Sequence, residues 1–353
     1  MNQIKKYIGS SVWNAVVMVL LVIVSLDVIA SLVDELADLK GGYTLLKAVF
    51  YVALKIPSSV YEYLPLSSLV GCLIGLGVLA STSELVVMRA SGVSVNRIIW
   101  AVFRPVFLFV VIGALIGEYI APYSDQYADS RRALDLGHKR ALQSVRGKWN
   151  REGNEFMHFN AVLPNGKLYG VTRFRFDEGD NLIQARFVDS AIYQGDHWFE
   201  QGVEITHFSS SGIRRENLSN SRWESEVSPS LLNVLVLEPE DLPMKRLLDY
   251  SAYLEKQNLD ATEYRLAFWQ KALQPLATLS LVMIAISFIL GPLRQVTMGF
   301  RIFVGVIIGM VFQMSQRLLG PSSIIWGFAP VLAVLIPIGV CFIIGLILLK
   351  KSE

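Results

Sequence analysis

Six apolar stretches, near residues 12 to 34, 58 to 80, 100 to 121, 267 to 290, 301 to 319 and 329 to 349, constrain this chain more than anything else in it. A bilayer core about 30 Å thick is crossed by roughly 20 apolar residues in a helix, and a helix satisfies its own backbone hydrogen bonds in lipid. Each stretch is long enough, so the chain reads as an α-helical polytopic membrane protein with six transmembrane helices. The balance of 53% hydrophobic to 18% charged residues fits that class, and a net charge of +2 is too small to suggest a nucleic-acid partner. Before the second stretch, residues 43 to 55 form an amphipathic segment expected to stop at Pro57 and lie along the interface.

Lysine and arginine in short loops set orientation. Lys5 and Lys6, then Arg89, Arg97 and Arg104, then Arg294 and Arg301, then Lys350 and Lys351 all fall on one side if the spans alternate. That side is expected to be cytoplasmic, with both termini there and the insert 122 to 266 outside. The domain reading is therefore residues 1–121 with helices 1–3, residues 122–266 as an inserted all-β periplasmic domain, and residues 267–353 with helices 4–6.

Within the insert the apolar runs give way to period-two alternation, as in Phe156-Met157-His158-Phe159 and Arg173-Phe174-Arg175-Phe176. Turn signals at Pro164-Asn165-Gly166, Glu178-Gly179-Asp180-Asn181 and Gly195-Asp196 divide it into strands of a sandwich or jelly roll. From Pro239 to Leu266 the pattern is helical again.

The sequence contains no phosphate-binding G-x-x-x-x-G-K-[ST] loop, no H-E-x-x-H helix and no G-x-S-x-G elbow. Its four histidines lie in the insert as isolated polar residues, and Cys72 and Cys341 lie in apolar runs, so no metal or redox chemistry is assigned.

The loop after the second span, residues 82 to 92, reads as a short cytoplasmic helix. Ser81 or Thr82 is the expected N-cap, Glu84 complements the positive helix end, and Gly92 suits the C-terminal cap. Glu84, Met88 and Ser91 share i, i+4, i+7 spacing. Two readings stand on spacing alone: a ridge that fits a groove on another protein, or a helix resting on lipid. Asp27, Asp34 and Glu118 are ionisable residues within or near spans and are candidates on that ground. Arg131, Arg132, Lys139, Arg140 and Arg146 form a basic stretch after the third span, suited to a phosphorylated headgroup or to a solvated face.

Several motifs in order, Ser83-Glu84-Leu85-Val86-Val87-Met88-Arg89-Ala90-Ser91-Gly92, Gly117-Glu118-Tyr119-Ile120-Ala121-Pro122, Gly147-Lys148-Trp149, Gln274-Pro275-Leu276 and Gly291-Pro292-Leu293-Arg294 with Met298-Gly299, make the chain resemble the LptF/LptG family. These are permease subunits of the lipopolysaccharide export ABC transporter of Gram-negative bacteria, and the resemblance is greatest to the LptG branch. It implies an inner-membrane subunit that extracts lipopolysaccharide from the outer leaflet and passes it to a periplasmic bridge toward the outer membrane. It further implies an LptF-type heterodimer partner, a cytoplasmic LptB-type ATPase dimer that binds the ATP and magnesium, an LptC-type single-span subunit, and a β-jellyroll periplasmic domain. This chain itself is then no enzyme and carries no cofactor.

The resemblance assigns ATPase coupling to the 82–92 helix, with Glu84, Met88, Arg89, Ser91 and Gly92. It places Phe303, Met310 and Phe312 of the fifth span on the wall of a lipid cavity, and Arg132 and Lys40 near the acidic sugar region. At the outer end of span one, Ser31, Ala37 and Asp38 stand where basic residues can occur, and Asp34 and Asp38 would repel phosphate. Alternatives are the LptF-type sister subunit, a membrane receptor or scaffold with a periplasmic β-domain, and a membrane-embedded enzyme.

Overall fold

The structure, a computed structural model, describes residues 2–39, 42–135, 148–162, 167–179, 181–209, 212–225, 239–256, 260–291 and 296–352. Six of its helices are long and apolar enough to cross a membrane. The first is α1 (Asn2–Ala37), followed by α2 (Leu45–Ser81), the short α3 (Glu84–Ala90) and α4 (Val95–Leu115). A π-helical turn (Ile116–Ile120) joins α4 to α5 (Ala121–Asp135). After the β-strands come α6 (Met244–Lys256), α7 (Thr262–Leu290), α8 (Met298–Trp326) and α9 (Pro330–Ser352).

Contacts divide the chain into two compact units. One comprises residues 1–30, 56–121 and 243–353. Its core is the apolar interior of the helices: Val12 and Val16 of α1, Leu69, Leu73 and Leu76 of α2, Ile98 and Val102 of α4, and Leu281 and Ile286 of α7 are all buried. Ser11 of α1 donates to the Gly75 carbonyl of α2 at 3.1 Å, and Trp13 stacks on Phe109 of α4. Coverage is uneven. Of the most apolar stretch, 67% is buried in α2 and in α7, but only 11% in α1 and 22% in α8. A span so little covered by its own chain presents apolar surface to lipid or to another subunit.

Pro57 does not end a separate amphipathic segment. Both Pro57 and Pro65 lie inside α2, which continues through them. Proline removes one intrahelical bond, a loss that membrane helices tolerate by local adjustment of the freed backbone groups.

The second unit comprises residues 31–55 and 122–242. Its six strands, β1 (Lys148–Glu152), β2 (Glu155–Val162), β3 (Lys167–Phe176), β4 (Leu182–Tyr193), β5 (Trp198–Ser209) and β6 (Gly212–Trp223), form one antiparallel sheet in sequential order. The expected all-β insert is present. Among the described residues each strand pairs with its neighbours in sequence, β1 to β6 in order.

Two of the expected turns are hairpins. At the first, Asp177 N–H donates to the Asn181 carbonyl; at the second, Gln194 N–H donates to the His197 carbonyl, with Gly195 in the left-handed region. Pro164-Asn165-Gly166 lies outside the described residues. The buried set on β5 runs Trp198, Glu200, then Val203, Ile205, so the alternation slips by one at Gly202. Gly202 has a φ of 65°, and a Cβ there would strike the Asp189 carboxylate. Only glycine permits that bend.

The inside of the sheet is not wholly apolar. Arg173 Nη2 donates to Glu200 Oε1 at 2.7 Å, Arg186 Nη2 lies 3.1 Å from Glu200 Oε2, and the Arg173 guanidinium covers the Trp223 ring at 4.4 Å. Arg173 and Glu200 are both buried. Burial lowers the Arg173 guanidinium to about 10, which leaves it cationic at neutral pH.

Candidate functional site

The expected loop helix is present as α3, with different ends. Ser83 precedes it at a φ of 61°, in the left-handed region, and its side chain makes no capping bond. Ser81 Oγ donates instead to the Val78 carbonyl at 2.8 Å, which ties it to the last turn of α2, and Thr82 Oγ1 lies 3.0 Å from Glu84 Oε1. At the other end Gly92, with a φ of 84°, donates to the Arg89 carbonyl and Val93 N–H to the Met88 carbonyl. This paired closure needs a residue at ease with positive φ, and Gly92 supplies it.

Seven helical residues leave room for one inward face, and Leu85 takes it, 4% exposed, with Met88 packed on the same core. Leu85, Val86 and Arg89 line a small crevice with Ala80 and with Ile289 and Leu290 at the end of α7. The ridge expected from Glu84, Met88 and Ser91 is therefore not one outward face, since Met88 turns inward. The outward side carries Val86, Val87, Ala90 and Ser91, and Val87 is 62% exposed. Val86 and Val87 were missed by spacing. Their signal is two adjacent β-branched residues in a loop helix whose core position is already filled by Leu85.

A second group gathers at the end of α1, the start of α2 and α5. Arg132 Nε donates to Glu35 Oε2 at 3.0 Å and Nη2 to Asp38 Oδ2 at 2.6 Å, while its guanidinium lies over the Tyr51 ring. Tyr43 donates to Glu35 at 2.8 Å; burial first, then that carboxylate, pushes its phenol well above the usual range. Tyr51 donates to Asp129 at 3.0 Å, and Lys55 to the same carboxylate at 3.1 Å. Beside this network lies an open cleft of about 630 Å³, lined by Leu46, Val49, Phe50, Tyr127, Arg131 and Arg132 among others. Arg131 leans over the Tyr127 ring and donates to its hydroxyl at 3.1 Å.

Arg132 is thus not a bare cation awaiting an anion. Of the two carboxylates expected to repel phosphate, Asp38 pairs with Arg132 and Asp34 is exposed. Glu35 was not singled out in the sequence. Lys40, Lys139, Arg140 and Arg146 lie outside the described residues.

The remaining ionisable candidates have structural partners. Asp27 accepts from Ser59 Oγ at 2.6 Å and Tyr63 OH at 2.9 Å, both on α2. Glu118, in the π-helical turn, accepts from Met244 N–H at the start of α6.

On α8 the three span-five candidates separate. Phe303 and Met310 belong to an exposed apolar stripe with Ile307, Val311, Met314 and Leu318, repeating at helical spacing. Phe312 is only 7% exposed and belongs to the buried core cluster. Its assignment to a lipid-facing wall is corrected: Arg301, Gly305, Gly309 and Phe312 form the opposite, inward stripe of the same helix.

The model of the family described as lipopolysaccharide export system permease LptF/LptG matches residues 6–351. The chain belongs to this family. Among its relatives is the lipopolysaccharide export system permease protein LptG of Escherichia coli K12, 32% identical over 352 residues, covering 99% of this chain and 98% of that one. Another is the protein of the same name from Haemophilus influenzae, 32% identical over 339 residues and covering 95% of each chain. As an LptF/LptG family member similar end to end to LptG permeases, the chain is a multi-pass inner-membrane protein with an inserted β-domain.

Proposed function

We propose that this chain is the LptG-type permease subunit of a lipopolysaccharide exporter, working beside an LptF-type subunit and driven by a cytoplasmic LptB-type ATPase dimer that holds the ATP and magnesium. The observation that carries the reading is similarity to LptG permeases over nearly the whole chain. In this reading both termini and α3 face the cytoplasm, as the lysines and arginines of the short loops suggest, and the β-domain is periplasmic. The long relay ends at a periplasmic bridge, reached through the β-domain; an LptC-type helix is a further expected neighbour.

The outward side of α3, with Val87, Ala90 and Ser91 flanked by Glu84 and Arg89, is the surface the ATPase grips. Two exposed valines have little to gain in water and much to gain in a partner's groove. Closure of the ATPase dimer displaces α3, and with it the end of α2 and the end of α7 against which α3 rests. The apolar faces of α1 and α8, including Phe303 and Met310, form this subunit's share of the wall around the acyl chains. Lipid chains need only apolar surface there, so the binding is collective. Arg132, and Lys40 by the family resemblance, face the phosphorylated sugar region.

The test is reconstitution. The chain is co-expressed with its LptF-type and LptB-type partners and placed in vesicles with lipopolysaccharide and a periplasmic acceptor. ATP-dependent transfer of lipopolysaccharide to the acceptor is expected. A complex that hydrolyses ATP normally with Glu84→Lys and Val87→Asp in place, and transfers as well as before, removes α3 as the contact; no transfer by the unaltered complex removes the function.

A further inference from the structure

Arg301 is a cation placed within an apolar helix, yet it is 2% exposed. Its Nη1 donates to the Gly77 carbonyl of α2 at 2.5 Å. A Cβ at position 77 would fall 2.9 Å from Nη1 and 3.2 Å from Cδ of Arg301, so the guanidinium reaches that carbonyl only because residue 77 has no side chain. Further along the same seam, a Cβ at Gly305 would fall 2.5 Å from Leu73 Cδ1, and one at Gly309 would strike Leu66. The two helices run antiparallel, with residues 301, 305 and 309 of α8 set against 77, 73 and 66 of α2. Small residues let the backbones approach closely, as in other membrane helix pairs.

The position of the contact matters more than its strength. Gly77 lies one helical turn, about 6 Å, before the end of α2. From that end Thr82 N–H donates to the Val78 carbonyl and Ser83 N–H to the Ala80 carbonyl, and α3 begins at the next residue. Any displacement of α3 therefore reaches Gly77 within a turn. On the other side of the contact is the start of α8, the helix whose outward stripe carries Phe303 and Met310. An apolar side chain would fill the same space without the desolvation cost of a guanidinium, but would let the helices slide. A directional hydrogen bond to a backbone carbonyl resists sliding.

We propose that Arg301 is a positioning residue for transport: it pins the start of α8 to the end of α2, so that a stroke received at α3 moves the lipid-facing stripe of α8. The inference rests on the reading of α3 as the contact with the ATPase. Loss of the bond separates fuel use from work. In the reconstituted full complex, Arg301→Met lowers the lipopolysaccharide transferred per ATP hydrolysed about tenfold, as expected for losing a charge-assisted hydrogen bond, while ATP hydrolysis per assembled complex stays near normal. Arg301→Lys, which keeps a donor for the Gly77 carbonyl, recovers part of that ratio.

The measurement is transfer and hydrolysis on the same vesicles, normalised to assembled complex. A transfer-to-hydrolysis ratio unchanged in Arg301→Met overturns the inference, and so does failure of both variants to assemble, since the contact then serves the fold alone. The α3 variants separate the two levels. If Glu84→Lys and Val87→Asp leave transfer intact, the reading of α3 falls and this inference falls with it; if they abolish transfer while Arg301→Met keeps the normal ratio, only the role of Arg301 falls.

Discussion

Glu118 accepts a hydrogen bond from the backbone N–H of Met244, 2.9 Å away, although the two are 126 residues apart in sequence. The π-helical turn at the end of span three aims the carboxylate, and Gly117 beside it leaves room for the Tyr61 ring. A carboxylate at the first residue of α6 satisfies a helix N–H that has no intrahelical partner and opposes the positive end of the dipole. Glu118→Ala is expected to weaken the start of α6 by about 1 kcal/mol, seen as faster amide exchange over residues 244 to 247. Glu118→Gln keeps an acceptor and should lose less.

The outward side of α3 yields a prediction about assembly. Val87→Asp places a charge on a surface expected to be buried against the ATPase, and should reduce the ATPase recovered with the purified chain by at least about tenfold. Met88→Ala acts elsewhere, because Met88 packs on the helical core. It should lower the melting temperature of the chain, at a cost of about 1–2 kcal/mol, before it affects ATPase recovery.

Arg132 is held between Glu35 and Asp38, so an anionic headgroup must compete with carboxylates already in place. Asp38 is half exposed, and an exposed ion pair is worth about 0.2–1 kcal/mol. Asp38→Asn should therefore strengthen lipopolysaccharide retention by up to about fivefold, with the gain shrinking as salt is raised. Weaker retention in this variant would contradict a headgroup role for Arg132. The measurement is lipid bound per purified complex across a salt series.

In the β-domain, Glu200 sits between Arg173 and Arg186 inside the sheet. Removing one member strands the other charges, so Glu200→Ala is expected to cost about 3–5 kcal/mol of domain stability. Replacing Arg173 and Glu200 together by methionine should recover much of that loss. Thermal unfolding followed by tryptophan fluorescence reports it directly, because Trp223 lies against Arg173 and stacks on Trp198.

The β3–β4 hairpin supplies a pH prediction. Hydrogen bonds from Asn181, backbone and then side chain, together with one from the Gly179 N–H, hold the Asp177 carboxyl below the usual carboxylate range. A depressed folded value means that its contribution is complete above the unfolded value, about 3.9, and is lost as pH falls through the folded one. Proteolysis at this turn should therefore rise on acidification below about pH 4 in the native chain. Asp177→Asn should abolish that rise.

The spans, the strands and the short helix after span two were legible because each is written in local periodicity: runs of apolar residues for helices in lipid, alternation for strands, Gly92 for a helix end. Even Gly195-Asp196 announced its hairpin. Strand order was less accessible, since a row of short turns is compatible with more than one order, and only pairing in space fixes it.

Local pattern alone determined that this chain is a bundle of six membrane helices with a β-rich insert, because hydrophobicity and turn chemistry act over a few residues. Which face each helix buries was settled only by the tertiary structure. Phe303, Met310 and Phe312 are equivalent by type, yet Phe312 faces the core; Met88 and Val87 are neighbours, yet only Val87 faces outward. Arg132 found its carboxylates across 97 and 94 residues of chain, and Arg301 found the Gly77 carbonyl across 224. Such partners are chosen by proximity in space, and a guanidinium out of water must take whichever acceptors the fold brings within reach.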